Sequence, residues 1–138
     1  MNNLEKTIKQ LGGIKLDSYL WDSGLIKGVV KYIDQPIGLL NNEGLRLLIG
    51  QNIGLKFLIP LAIDKLKDNI LAVGDLYEGD LLKNVLDSDR QFWIQNKDYY
   101  NMIAELYLEN SSLFENDNTY RQIRKSFESF IKLEGGIK

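Results

Sequence analysis

The stretch from Asn42 to Asp68 reads NEGLRLLIGQNIGLKFLIPLAIDKLKD and holds the densest apolar pattern of the chain. Two helical segments meet within it at a Gly-Gln-Asn-Ile-Gly corner, Gly50 to Gly54. In the second segment Leu55, Leu58, Ile59, Ala62, Ile63 and Leu66 recur at helical spacing, while Asp64, Lys65, Lys67 and Asp68 fall mostly on the other side. That pattern predicts a core helix with one wet edge. The first segment places Leu45, Leu48 and Ile49 on one stripe, with Asn42 as its N-cap and Glu43 in the first turn, where the helix dipole favours an acid. The two stripes are expected to face each other.

Working outward, Leu4, Ile8 and Leu11 are spaced for one side of a short helix that Gly12-Gly13 would stop. Ile14 to Asp22, with Tyr19 and Trp21, reads as an extended connection. Ser23 is placed to cap a helix with Leu25, Val29 and Ile33 on one stripe, and Gln35 before Pro36 should end it near Asp34. Beyond Asp68, the loop Ala72 to Gly79 leads to Asp80, read as the cap of a helix through Leu81, Leu82, Val85 and Leu86. Asp87-Ser88-Asp89 caps a short turn carrying Phe92 and Trp93. Asp98 opens a helix in which Tyr99, Met102, Ile103, Leu106 and Tyr107 share a stripe. A last helix, capped by Asn118 or Thr119, aligns Tyr120, Ile123, Phe127, Phe130 and Ile131 until Gly135-Gly136. No strand alternation persists and no repeat is present. The expectation is an all-α bundle of about six to seven short helices in one domain, residues 1–138.

At 138 residues such a domain buries a real core without disulfides or metal staples. The sequence has no cysteine and no histidine, which removes thiol chemistry together with the commonest general base and transition-metal ligand. Only carboxylate, Lys, Tyr or Ser/Thr chemistry stays open, and no catalytic residue, metal site or cofactor is assigned. The start MNNLEKTIKQ does not read as a secretory signal, and the longest apolar run, Phe57 to Ile63, falls far short of the roughly 20 residues that span a bilayer, so a cytoplasmic location is expected.

Charge is uneven. From Asp98 to Asp117 there is no Lys or Arg, and the span holds Glu105, Glu109, Glu115 and Asp117; Arg121, Arg124, Lys125, Lys132 and Lys138 follow it. Overall acidity argues against direct nucleic-acid binding and suits a basic protein partner. Gly74 to Asp80, GDLYEGD, clusters three acids around Tyr77, but its spacing is wrong for a calcium loop. It reads either as a helix-capping turn or as a recognition patch with Tyr77 as anchor. Asp64 and Asp68, one turn apart, fit a solvated edge better than an acid/base pair. Gly50 and Gly54 are corner residues, since no strand precedes them and no Lys-Ser/Thr follows.

The run Leu45-Arg46-Leu47-Leu48-Ile49-Gly50-Gln51-Asn52-Ile53-Gly54-Leu55, followed by Leu58-Ile59-Pro60-Leu61-Ala62, resembles the bacterial contact-dependent growth inhibition (CDI) immunity protein family. Its flanks do as well: Thr7-Ile8 through Leu11-Gly12, Asp22-Ser23 with Leu25-Ile26, Gly74-Asp75 through Tyr77, Gly79-Asp80-Leu81-Leu82, Val85-Leu86, and Trp93 of a Phe-Trp pair. The resemblance implies a cytoplasmic protein without catalytic residues that binds the C-terminal domain of a toxin from a neighbouring cell, often a nuclease, and blocks it stoichiometrically. The alternatives are a helical adaptor or regulator of another cytoplasmic protein and a carboxylate-dependent enzyme or metal protein. The expected toxin-binding residues are Asp75, Tyr77, Glu78 and Asp80 in the family signature. A second patch, Glu105, Glu109, Glu115 and Asp117, lies beyond it, free to encode partner choice.

Overall fold

The computed structural model describes residues 3–12, 24–115 and 118–137. Asp22, Ser23, Tyr19, Trp21 and the expected extended connection lie outside them. The described residues form eight α-helices: α1 (Ile8–Gly12), α2 (Gly24–Ile33), α3 (Asn42–Gly50), α4 (Leu55–Asp68), α5 (Asp80–Asp87), α6 (Arg90–Gln95), α7 (Lys97–Glu109) and α8 (Arg121–Ile137), with short 3-10 turns between some of them. Among those residues the only β-type pairing is an isolated antiparallel bridge between Val73 and Glu78. The all-α expectation therefore holds, with eight helices among the described residues where about six to seven were expected.

The central stretch folds as its periodicity predicts. Leu45, Leu48 and Ile49 of α3 and Leu55, Leu58, Ile59, Ala62, Ile63 and Leu66 of α4 are all buried. The corner between them is a Schellman cap: Ile53 N–H donates to the Leu48 carbonyl and Asn52 N–H to that of Ile49, both at 2.9 Å. Asn52 takes the left-handed position with φ 58°. Its Oδ1 accepts from the Asp89 amide at 2.8 Å, which ties the corner to the start of α6. The N-cap of α3 is Asn41, one residue earlier than expected, because its side chain accepts from Gly44 N–H at 2.8 Å. Asn42 instead donates through Nδ2 to the Val73 carbonyl at 3.3 Å. Pro60 is accommodated inside α4. The missing Cβ of Gly28 in α2 makes room for Leu47 of α3.

α3 packs most extensively on α5, and α5 in turn on α8. At the α3–α5 contact Asn84 Nδ2 donates to the Arg46 carbonyl at 2.9 Å. α8 and α7 close the other side with stacked aromatics, Phe127 on Tyr107 and Tyr107 on Phe114, while Trp93 and Tyr100 pack on Phe130. Trp93 is a core residue whose indole N–H donates to Ser88 Oγ at 3.0 Å.

Two stripes are rotated from their expected positions. α7 begins at Lys97 after Asn96, and it buries Tyr100, Ile103, Ala104 and Tyr107, leaving Met102 exposed. The register shifts because Tyr100 and Ala104 meet the core, where Tyr100 lies against Phe130; Tyr99 stacks instead on Phe92 at the edge. α8 buries Ile123, Ser126, Phe127, Phe130 and Leu133 and exposes Ile131. It also runs through Gly135-Gly136 to Ile137, because glycine permits a left-handed stop without requiring one.

Candidate functional site

The loop between α4 and α5 is held by two carboxylates beneath it. Asp80 is only 1% exposed. Its Oδ1 accepts from Gly74 N–H at 2.7 Å and its Oδ2 from Leu76 and Tyr77 N–H at 3.0 and 3.3 Å. Glu43 of α3 accepts the fourth amide, Asp75 N–H, at 2.9 Å. The backbone N–H groups of four consecutive residues, Gly74 to Tyr77, thus all point inward to carboxylate oxygens. Charge-assisted bonds of this kind are about twice as strong as neutral ones.

Arg46, one turn after Glu43, balances the charge. Its Nε and Nη2 donate to Glu43 Oε1 and Oε2, each at 2.6 Å, and Nε lies 3.9 Å from Asp80 Oδ2. The bidentate Arg46 contact holds the Glu43 carboxyl below its ordinary pKa, against the opposing effect of burial and with help from the Asp75 amide. Glu43 in turn raises the Arg46 pKa. A Cβ at Gly74 would meet Glu43 Oε1 at 2.7 Å, so any side chain there would push on that carboxylate. Gly79 turns the chain into α5 with φ 89° and packs where a Cβ would strike Ile123.

Asp80 is therefore not the N-cap of α5, a position that Gly79 occupies. As the first residue of the helix, Asp80 turns its carboxylate back onto the loop rather than forward along the helix. Of the first expected patch, Asp75, Tyr77 and Glu78 stand outward and Asp80 lies under them. Tyr77 is 45% exposed and Leu76, its neighbour, 62%. Burial of part of the Tyr77 ring raises its pKa, an effect that Lys83 partly offsets. Glu78 Oε2 accepts from the Tyr120 hydroxyl at 3.4 Å. Of the second patch, Glu105 and Glu109 are exposed on α7 and Glu115 is exposed just after the 3-10 turn Ser111–Leu113, while Asp117 lies outside the described residues. Sequence reasoning missed Glu43 and Arg46 as parts of the site and Leu76 as an exposed apolar group. The Glu-x-x-Arg spacing in the first turn of α3 was the available signal.

Glu43 makes this frame sensitive to acid. Its pKa is depressed in the folded state, so the stability it supplies is complete above the ordinary glutamate value of about 4.3 and is lost as pH falls through the lower folded value. Urea midpoints of the parent chain and Glu43→Gln should differ at pH 7 and draw together as pH falls from about 4.3 through the lower folded value. A constant gap across that window would remove Glu43 from the acid response.

With its amide donors turned inward, the loop leaves the carboxylates of Asp75 and Glu78, the Tyr77 ring and the Leu76 side chain at its outer surface. A family model of CDI immunity proteins matches residues 7–103, and the chain belongs to that family. No curated protein and no solved structure matches it. Membership implies toxin neutralisation as the role and a cognate toxin as the partner; immunity proteins of this kind are generally non-enzymatic. No helix among the described residues is long and apolar enough to cross a membrane.

Proposed function

We propose that this chain acts in the cytoplasm as the immunity partner of one CDI toxin, and that it neutralises the toxin's C-terminal domain by one-to-one binding without turnover. The family match over residues 7–103 carries this reading. The loop supports the choice of surface: Asp75 and Glu78 put charge around Tyr77 and Leu76, on a backbone already ordered by Glu43 and Asp80. A preordered surface loses little conformational freedom on docking. The partner is inferred to be a nuclease, whose phosphate-binding groove is basic and would be steered onto such acids.

The test is binding to the toxin domain encoded beside this chain's gene, with thermal stability measured in parallel. Asp75→Lys/Glu78→Lys is expected to slow association about tenfold or more and to flatten its salt dependence, with the melt little changed. Glu105→Lys/Glu109→Lys should act in the same direction. If both folded variants associate at the parent rate, the acidic surface is not what meets the toxin.

A further inference from the structure

Leu108, at the end of α7, is 56% exposed, and Leu113, in the 3-10 turn that follows, is 46% exposed. Single exposed leucines are ordinary on a protein surface. These two are distinguished by their support, because each adjoins an aromatic residue fixed in the core: Tyr107 beside Leu108 and Phe114 beside Leu113. The Phe114 ring stacks on Tyr107 with centroids 4.8 Å apart, and its carbonyl accepts from the Arg124 guanidinium. Asn110 ties the helix end, donating through Nδ2 to the Leu106 carbonyl at 2.8 Å and accepting from Leu113 N–H at 3.0 Å. The leucines are therefore outward by construction, on a segment that is already ordered.

The same segment is continuous with the loop. The Tyr120 ring packs perpendicular to Phe114, with centroids 5.5 Å apart, and its hydroxyl donates to Glu78. One tyrosine thus links the acidic loop to the turn that carries Leu113. We propose that the docking surface runs from Leu76, Tyr77 and Glu78 across Tyr120 to Leu113 and Leu108, and that these two leucines are apolar anchors for the same basic toxin surface. The inference rests on the toxin-binding reading above and extends it to residues after 103, where the family match ends.

Charge selects the occupant. Glu105, Glu109 and Glu115 flank the leucines in sequence, no Lys or Arg occurs from Asp98 to Asp117, and Arg124, a cation that the structure brings to the segment, is held on the Phe114 carbonyl. An acidic partner would be repelled, as would a second copy of this chain presenting the same face, whereas a basic surface with apolar seats gains from both components.

The experiment compares the parent chain, Leu108→Ser/Leu113→Ser and Leu76→Ser/Tyr77→Ser for dissociation from the toxin domain encoded beside the gene. All four side chains are substantially exposed, so the melting midpoints should stay close to that of the parent. The Leu108→Ser/Leu113→Ser variant is expected to dissociate about tenfold faster or more while its association rate, which follows charge, changes little. If that variant leaves at the parent rate while the parent binds, the surface stops short of α7 and the extension is overturned. If the parent does not bind the toxin domain at all, the toxin-binding reading itself falls, and the extension with it.

Discussion

Leu58→Asp is expected to leave the chain without a cooperative melt. Leu58 has no exposed surface and lies in α4, which touches α3, α5 and α7, so the substitution reaches the centre of the packing rather than one interface. Removing the leucine side chain alone costs about 2–5 kcal/mol through lost burial and the space left behind. The carboxylate adds the cost of burying a charge without a partner, or of protonating it to avoid that, which amounts to several more kcal/mol. A total stability of about 5–15 kcal/mol does not survive both. Leu48→Asp, equally buried in α3, should behave the same way. Lys65→Asp, on the exposed edge of α4, is the control and should cost only about 1 kcal/mol, from reversing a charge in the last turn of the helix. A cooperative urea transition in both leucine variants would mean that the core is not organised around this helix pair.

The physical reason this pair was legible in the sequence is that its determinants are local. Helical spacing fixes which residues share a face, and the Gly50 to Gly54 corner supplies residues able to take left-handed backbone, as Asn52 does. The stripe of α7 was less legible because both sides of that helix carry apolar residues. Tyr99 and Tyr100 are adjacent, and only contact with Phe130 of α8 decides that Tyr100 is the buried one. Spacing within one helix holds no information about that contact.

The site divides in the same way. That Gly74 to Asp80 is a loop rich in acid, with Tyr77 outward, could be read directly. Which acid turns inward could not, since Asp75, Glu78 and Asp80 look alike in sequence and differ only in where the amides of the folded loop point. Glu43 reaches the Asp75 amide across 32 positions of chain, a pairing that follows from the packing of α3 on α5 and leaves no local mark. Read locally, Glu43 is a first-turn acid favoured by the helix dipole, which is compatible with its position but silent on its second task.

Asp80→Ala should be the most damaging single truncation among the acids of the loop. It removes the acceptor of three amides, Gly74, Leu76 and Tyr77, and takes a carboxylate away from the side of Arg46. A hydrogen bond to a charged group contributes about 1.5–3 kcal/mol, but the three share one carboxylate and the loop can partly rehydrate, so a loss of about 3 kcal/mol is expected rather than the sum. Asp80→Asn keeps one acceptor oxygen and turns an amide NH2 toward groups that are themselves donors, which should cost about 2 kcal/mol. Asp75→Ala, whose exposed carboxylate accepts none of these bonds, should change stability by no more than about 0.5 kcal/mol. Hydrogen exchange distinguishes a general loss of stability from release of the loop: in the parent chain the amides of Gly74, Asp75, Leu76 and Tyr77 should be protected even though the side chains of residues 75–77 are exposed, and in Asp80→Ala three of them should exchange far faster than the amides of α4. If Asp80→Ala melts with the parent chain and its loop amides stay protected, the loop is not ordered by the carboxylates beneath it, and the preordered surface inferred for toxin docking loses its physical basis.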